Sequence, residues 1–299
     1  MRLVVGSTLS GVYDAALDKG LSLKGPLKWR DAACGLRLPA HVVDRYRDKS
    51  SLSIWRWPIP DGAYELLKDG SRICTPEFTY LLMARLLSDE ELALFGLEIC
   101  GTYAIDKKDK KGFVSGTTPQ TNVKRLEAFL GGCSGAPGWV RAKRVLRWVV
   151  DKSASPMESM LVLLLCLPRR MGGFGLPMPE LNVSVNELRG LRDVDRGPFV
   201  DLLWRLARFS LEYDSDLEHT GKDRISRDSI RRVLLEELKI RSFSVTSEQV
   251  NDSVELARIA RITSKALGVK YHSVGLELRR RNASLRQRLY EFTRCDEQQ

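Results

Sequence analysis

Histidine is scarce in this chain: there are three in 299 residues, His41, His219 and His272. None accompanies a G-x-S-x-G elbow, so the parts of a serine triad are not in place. Cysteine is thinly spread as well. Cys34, Cys74, Cys100, Cys133, Cys166 and Cys295 lie tens of residues apart, with no C-x-x-C pair and no histidine close by. That spacing supports neither a structural zinc site nor a disulfide framework, and Cys166 in LLLCLP reads as a small buried hydrophobe. The longest apolar run, residues 160–167, is far below the roughly 20 residues that cross a bilayer. The start MRLVVGSTLSG has no apolar core of about seven residues behind it and does not read as a secretory signal. GGFG at 172–175 lacks the lysine and spacing of a phosphate loop and reads as a turn. These absences imply a cytoplasmic protein in a reducing compartment, with no membrane partner and no small-molecule cofactor.

Positive charge is in excess. On a globular composition, 43% hydrophobic and 29% charged, the chain carries a formal +10 and a pI near 9.4. A polyanionic partner is expected, nucleic acid before membrane, although ordinary solubilising charge accounts for the total equally well. The excess is steepest near the end, where residues 258–294 hold ten Lys or Arg against two Glu. There Arg279, Arg280 and Arg281 run into NASLRQRLYEF, whose Leu285, Leu289 and Phe292 form a packing stripe that turns arginines outward, to phosphates or to solvent. Arg227 joins them as a candidate nucleic-acid contact. Trp55 and Trp57 could stack on bases, but core packing is the simpler expectation.

The length suits two domains of ordinary size. In residues 1–150 an α+β domain of unassigned role is expected. Thr75 with Pro76, and then Ser88, open two helices that end before Gly101, SLSIWRWPI alternates like a half-buried strand, DKKDKKG at 106–112 is a solvated hairpin tip, and a helix runs from about 139 to 150. DKSASP at 151–156 is the expected boundary. Beyond it come a helix over 156–167, a Gly/Pro loop, the strands PFVDLLW and RFSLEYD, and the helix RDSIRRVLLEEL with Ile230, Val233, Leu234 and Leu238 as its stripe. The strand IRSFSV and a helix over 252–267, stopped by Gly268, complete a small α/β module over 151–270. Residues 271–299 read as a basic helical tail.

One stretch runs against the charge balance. In LEYDSDLEHTGKDRISRD, Glu212, Asp214, Asp216 and Glu218 lead into His219. If PFVDLLW and RFSLEYD are antiparallel neighbours joined by a tight turn near Leu206 and Ala207, Asp201 lies across from Glu212, and alternation groups Glu212 with Asp214 on one face. Crowded carboxylates repel across a sheet and either hold a proton or share a hard cation such as Mg²⁺, which takes one or two carboxylates and fills its remaining positions with water and phosphate. A metal cradle inside a basic surface is the arrangement that cleaves nucleic acid. A solvated hairpin face is the plainer reading, preferred for Asp216 and Glu218.

D-x-L-W, LEYDSDLEH and KDRISRDSIRRVLLEELKIRSFSVTSEQV, in that order, resemble the PD-(D/E)XK nuclease superfamily, specifically its uncharacterised branch related to very-short-patch-repair endonucleases. SASPMESMLVLLLCLP and GGFGLPMPELNVSV resemble the same branch upstream, and the likeness covers residues 153–267. It implies an α/β, restriction-endonuclease-like domain with a small mixed sheet flanked by helices, Mg²⁺ or Mn²⁺ as cofactor, DNA as partner, and a homodimer among the allowed assemblies. Asp201 and Glu212 become metal ligands, with Glu158 a third acid from the first helix. Asp214 stands where the superfamily has its lysine, so either Asp214 extends the metal site or His219 or Lys222 supplies the base. Plainer roles exist for several of these residues: a capping box around Ser155 for Glu158, a surface loop for His219, and an ordinary i,i+3 ion pair for Asp228 with Arg231. The expected function is metal-dependent hydrolysis of DNA phosphodiesters, in phage defence or repair. The alternative is an inactive nucleic-acid-binding regulator resembling an abortive-infection antitoxin, and a protein-interaction scaffold is a third reading.

Overall fold

The computed structural model describes residues 34–36, 57–66, 72–106, 109, 111–191, 198–214 and 222–293, with 34–36, 66, 72 and 222–229 described by backbone alone. The chain divides into two compact units, Met1–Val149 with Tyr290–Gln299, and Val150–Leu289. Both are mixed α/β, with small sheets flanked by helices. Among the described residues, no helix is long and apolar enough to cross a membrane.

In the first unit β1 (Cys34–Leu36), β2 (Tyr64–Leu66) and β3 (Arg72–Cys74) form a sheet in the order β1-β3-β2. Helix α1 (Pro76–Met83) starts at Thr75, whose side chain accepts from the Phe78 amide, and α2 (Asp89–Ile99) starts with a full capping box between Ser88 and Glu91. These side chains satisfy amides that the first helical turn leaves without intrahelical partners. Strands β4 (Tyr103–Ile105) and β5 (Phe113–Ser115) pair antiparallel, and the Asp106 amide donates to the Gly112 carbonyl. Helices α3 (Val123–Gly131) and α4 (Trp139–Leu146) complete the unit. Helix α4 stops short of the expected Val150, because the Trp148 and Val149 amides turn back in three-residue bonds to Val145 and Leu146. Tyr80, Phe95, Leu97, Leu126 and Val145 are fully buried. Glu98 is buried among them and accepts from the Ile105 amide at 3.0 Å; burial pushes its carboxyl up to about 8, against the effect of that hydrogen bond. The strand expected over SLSIWRWPI falls mostly outside the described residues, and residues 57–59 are not strand. Trp57 is 41% exposed, so it is not the core residue expected.

The second unit opens with α5 (Pro156–Cys166), capped by Ser155 and buried along nearly its whole length. Strands β6 (Glu180–Ser184), β7 (Phe199–Trp204) and β8 (Phe209–Asp214) pair antiparallel, with a short helix α6 (Val185–Leu188) after β6. Helix α7 (Lys222–Glu237) then carries the chain over to β9 (Arg241–Thr246), which lies parallel to β8, the crossover a parallel pair requires. The four-stranded sheet has the order β6-β7-β8-β9. Helices α8 (Ser247–Asn251), α9 (Ser253–Ala266) and α10 (Leu276–Thr293) follow. Strand β6 was not foreseen, because ELNVS is short and Asn182 breaks it with a φ of 46°.

One expectation needs correction here. The inward stripe of α7 is not Ile230, Val233, Leu234 and Leu238. Ile230 and Val233 are 54% and 57% exposed, while Leu235 is buried and packs with Val183, Val200 and Leu203, flanked by Leu234 and Leu238. The packing stripe expected at the basic end, Leu285, Leu289 and Phe292, is buried. Leu278 and Asn282 of α10 are buried as well, and the Asn282 amide donates to the Gly172 carbonyl at 2.8 Å. Gly172 has a φ of 103°, and a Cβ there would stand 2.5 Å from the Arg281 carbonyl oxygen. Gly172→Ala should therefore destabilise the second unit by about 3 kcal/mol or more, combining backbone strain with a steric clash, as measured by urea unfolding.

Candidate active site

The hairpin between β7 and β8 sets the site. Its turn is a 3₁₀ segment, Arg205–Ala207, closed by Arg208 at a φ of 48°. Leu206 at the tip is fully exposed, while Arg205 is fixed by Glu180 at 2.6 Å and Glu187 at 3.1 Å. The ladder pairs Trp204 with Phe209, Leu203 with Ser210 and Leu202 with Leu211. One step further Asp201 faces Glu212, and there the ladder opens: Asp201 Oδ2 accepts from the Tyr213 amide at 2.7 Å. The same level continues to both sides. Asn182 lies between the Leu181–Leu202 and Val183–Val200 pairs of β6 and β7, and Glu212 pairs with Ser244 of β9. A polar row of Asn182, Asp201, Glu212 and Ser244 thus crosses the sheet.

Glu158 reaches this row from the first turn of α5. It accepts from Ser155 Oγ at 3.0 Å, the Ala154 amide at 3.0 Å and Asn182 Nδ2 at 2.6 Å. The capping role is therefore real, and Glu158 nonetheless lines one cleft with Asp201, Glu212 and Asp214. The cleft, about 970 Å³, also has Arg231, Arg232, Lys239 and Arg241 on its walls. Lys239 lies two residues past α7 at a φ of 55°, and Arg241 lies over the Phe243 ring at 4.7 Å.

The electrostatics follow from crowding in a place with little water. Asp201 is raised well above the ordinary carboxylate range, chiefly by burial and then by Glu212 and Glu158, while the Tyr213 amide and Arg231 oppose the rise. Glu212 is pushed up to about 7 by burial, with Arg231 opposing and Glu158 adding to it. Glu158 is raised by burial against its three hydrogen bonds. Each charge disfavours the next, as close acids in a low dielectric must. The Asp201 backbone and the Ser242 hydroxyl also oppose the rise at Glu212. Its Oε2 lies 2.9 Å from Arg231 Nη1.

The structure brings together Glu158, Asp201, Glu212 and Asp214. His219, Asp216 and Glu218 lie outside the described residues, as do the side chains of Lys222 and Arg227, although both of these fall in α7. Arg279, Arg280 and Arg281 are exposed on α10, and Arg281 pairs with Glu277 at 2.8 Å. Asn182, Lys239 and Arg241 escaped the sequence reading. Arg231 pairs with Glu212 across the cleft, and the side chain of Asp228, its expected i,i+3 partner, lies outside the described residues.

Among the described residues no three His, Cys, Asp or Glu side chains form a ready-made metal cage. A hard divalent ion does not need one, since one or two carboxylates with water and phosphate hold Mg²⁺. The donor set here fits that demand: hard oxygens only, from Glu158, Asp201, Glu212 and Asp214 on one cleft. No protein-family model, curated protein or solved structure matches this chain.

Proposed function

We propose that the second unit is a metal-dependent endonuclease of the restriction-endonuclease-like class, acting on DNA, with Asp201 and Glu212 as the acids that hold Mg²⁺ or Mn²⁺ and Glu158 supporting them. The observation that carries this reading is the convergence of Glu158, Asp201 and Glu212 on one cleft with arginines and a lysine on its walls. The small mixed sheet flanked by helices agrees with the nuclease superfamily that the sequence resembles. A divalent ion held there would stabilise charge on a phosphodiester and orient water. The chain's own groups do the rest. Asn182 fixes the Glu158 carboxylate, the Tyr213 amide fixes Asp201, and Arg232, Lys239 and Arg241 offer charge to phosphates on either side. Asp214, half-buried in the cleft, takes the place of the superfamily's lysine and extends the acid row toward its mouth.

Supercoiled plasmid incubated with the purified chain in Mg²⁺ or Mn²⁺ should be nicked or linearised, and EDTA should stop it. A second reading, a nucleic-acid-binding regulator without cleavage, is favoured by the Glu212–Arg231 ion pair, which neutralises one acid without a metal. It predicts salt-sensitive DNA binding that is indifferent to divalent ions and an intact plasmid at every metal concentration.

A further inference from the structure

Helix α7 gives up apolar burial to place one arginine. The periodicity of RDSIRRVLLEEL offers Ile230 and Val233 to the core together with Leu234 and Leu238, yet Ile230 and Val233 are left more than half exposed. The helix is rotated so that Arg231, Leu234, Leu235 and Leu238 face inward, at positions i, i+3, i+4 and i+7. Leu235 enters the core, and Arg231 arrives one turn earlier at Glu212, 2.9 Å away. A local rule broken in this way, with exposed β-branched residues as its consequence, points to a functional constraint on the residue that gains. Glu212 explains what is gained. Glu212 is buried, and with Asp201 and Glu158 in the same cleft its carboxylate gains from a nearby cation. Arg231 is the cation that the fold supplies.

On the metal-site reading above, we propose that Arg231 is the resident counter-cation of the acid row: it pairs with Glu212 in the metal-free protein, and a divalent ion displaces it. A divalent ion and the guanidinium repel one another when both sit on the Glu212 oxygens, where solvent screening is weak, so each weakens the hold of the other. Displaced, the guanidinium remains on the cleft wall beside Arg232, where its planar fork suits two oxygens of a phosphodiester. Arg231 thus competes with the metal, and once released it becomes a positioning residue for the nucleic acid backbone.

The test is Mn²⁺ binding by the full-length protein, read from the loss of the electron paramagnetic resonance signal of free aqueous Mn²⁺, with no DNA present. Arg231→Gln should bind Mn²⁺ about tenfold more tightly than the unmutated chain, the scale expected when a partly buried competing cation is removed. Arg231→Lys keeps the charge but loses the fork, and should fall between the two; it also serves if Arg231→Gln does not fold. In Mn²⁺, Arg231→Gln should bind duplex DNA more weakly, which a merely structural arginine does not predict alongside tighter metal binding. Mn²⁺ affinity that is unchanged or weakened in both variants, while the unmutated chain binds the ion, overturns the displacement and leaves the metal site standing. No Mn²⁺ binding at millimolar concentration by any of the three proteins sinks the metal site, and the displacement with it.

Discussion

If the second unit is the proposed nuclease, Glu212→Gln should remove Mg²⁺-dependent cleavage of plasmid DNA, with an expected loss of about 10³-fold or more in rate. The substitution is isosteric, so packing against the sheet is kept. What changes is the charge on the most buried acid of the row and, with it, the pull on a divalent ion. A factor of 10³ corresponds to about 4 kcal/mol of transition-state stabilisation, the scale of one electrostatic contact in a water-poor site. Asp201→Asn should lose a comparable factor while still accepting the Tyr213 amide, which separates loss of charge from loss of the β8 backbone contact. Initial rates of nicking over a range of Mg²⁺ concentrations measure both. Cleavage by Glu212→Gln at the unmutated rate would move the chemistry away from this cleft.

The same substitution should stabilise the second unit, increasingly so as pH rises. Glu212 has an ordinary value of 4.5 and is held near 7 in the folded chain by burial. The folded state therefore binds this proton more tightly than the unfolded one, and the contribution is largest below about 4.5 and is lost as pH rises through about 7. The full loss corresponds to about 3 kcal/mol. Urea unfolding without divalent ions, repeated from pH 5 to pH 8, should show stability falling across this range in the unmutated chain and a shallower fall in Glu212→Gln, with the variant the more stable at pH 8. Glu98, held near 8 by burial in the first unit, gives that unit a slope of the same sign that the Glu212 substitution leaves in place. Stabilisation of that kind would mark an acid kept for another reason, a trade of stability against function that is common at active sites.

Alternation along a strand was enough to group Glu212 with Asp214, and a turn near Leu206 and Ala207 was enough to set Asp201 against Glu212. Both depend only on parity and local chain reversal, which a sequence states directly. Helix starts at Thr75, Ser88 and Ser155 were legible for the same reason: a cap acts within three residues of itself. The rotation of α7 was not legible. Hydrophobic periodicity assigned Ile230 and Val233 inward because it weighs only apolar burial, whereas Arg231 answers to a charge on another strand. Asn182 was equally hidden. Its positive φ and its hydrogen bond to Glu158 exist only once β6 is paired with β7 and α5 lies beside it, so a short ELNVS gives no local sign of either. The dual role of Glu158, capping its helix while lining the cleft, shows why a sufficient local explanation did not exhaust the residue.

The most direct test of the metal site is a crystal of the full chain soaked in Mn²⁺ and measured for anomalous scattering. The expected result is a peak within bonding distance of the carboxylates of Asp201 and Glu212, with the Arg231 guanidinium moved off Glu212. Anomalous density confined to other surfaces, with Arg231 still paired to Glu212 at saturating Mn²⁺, would contradict the account.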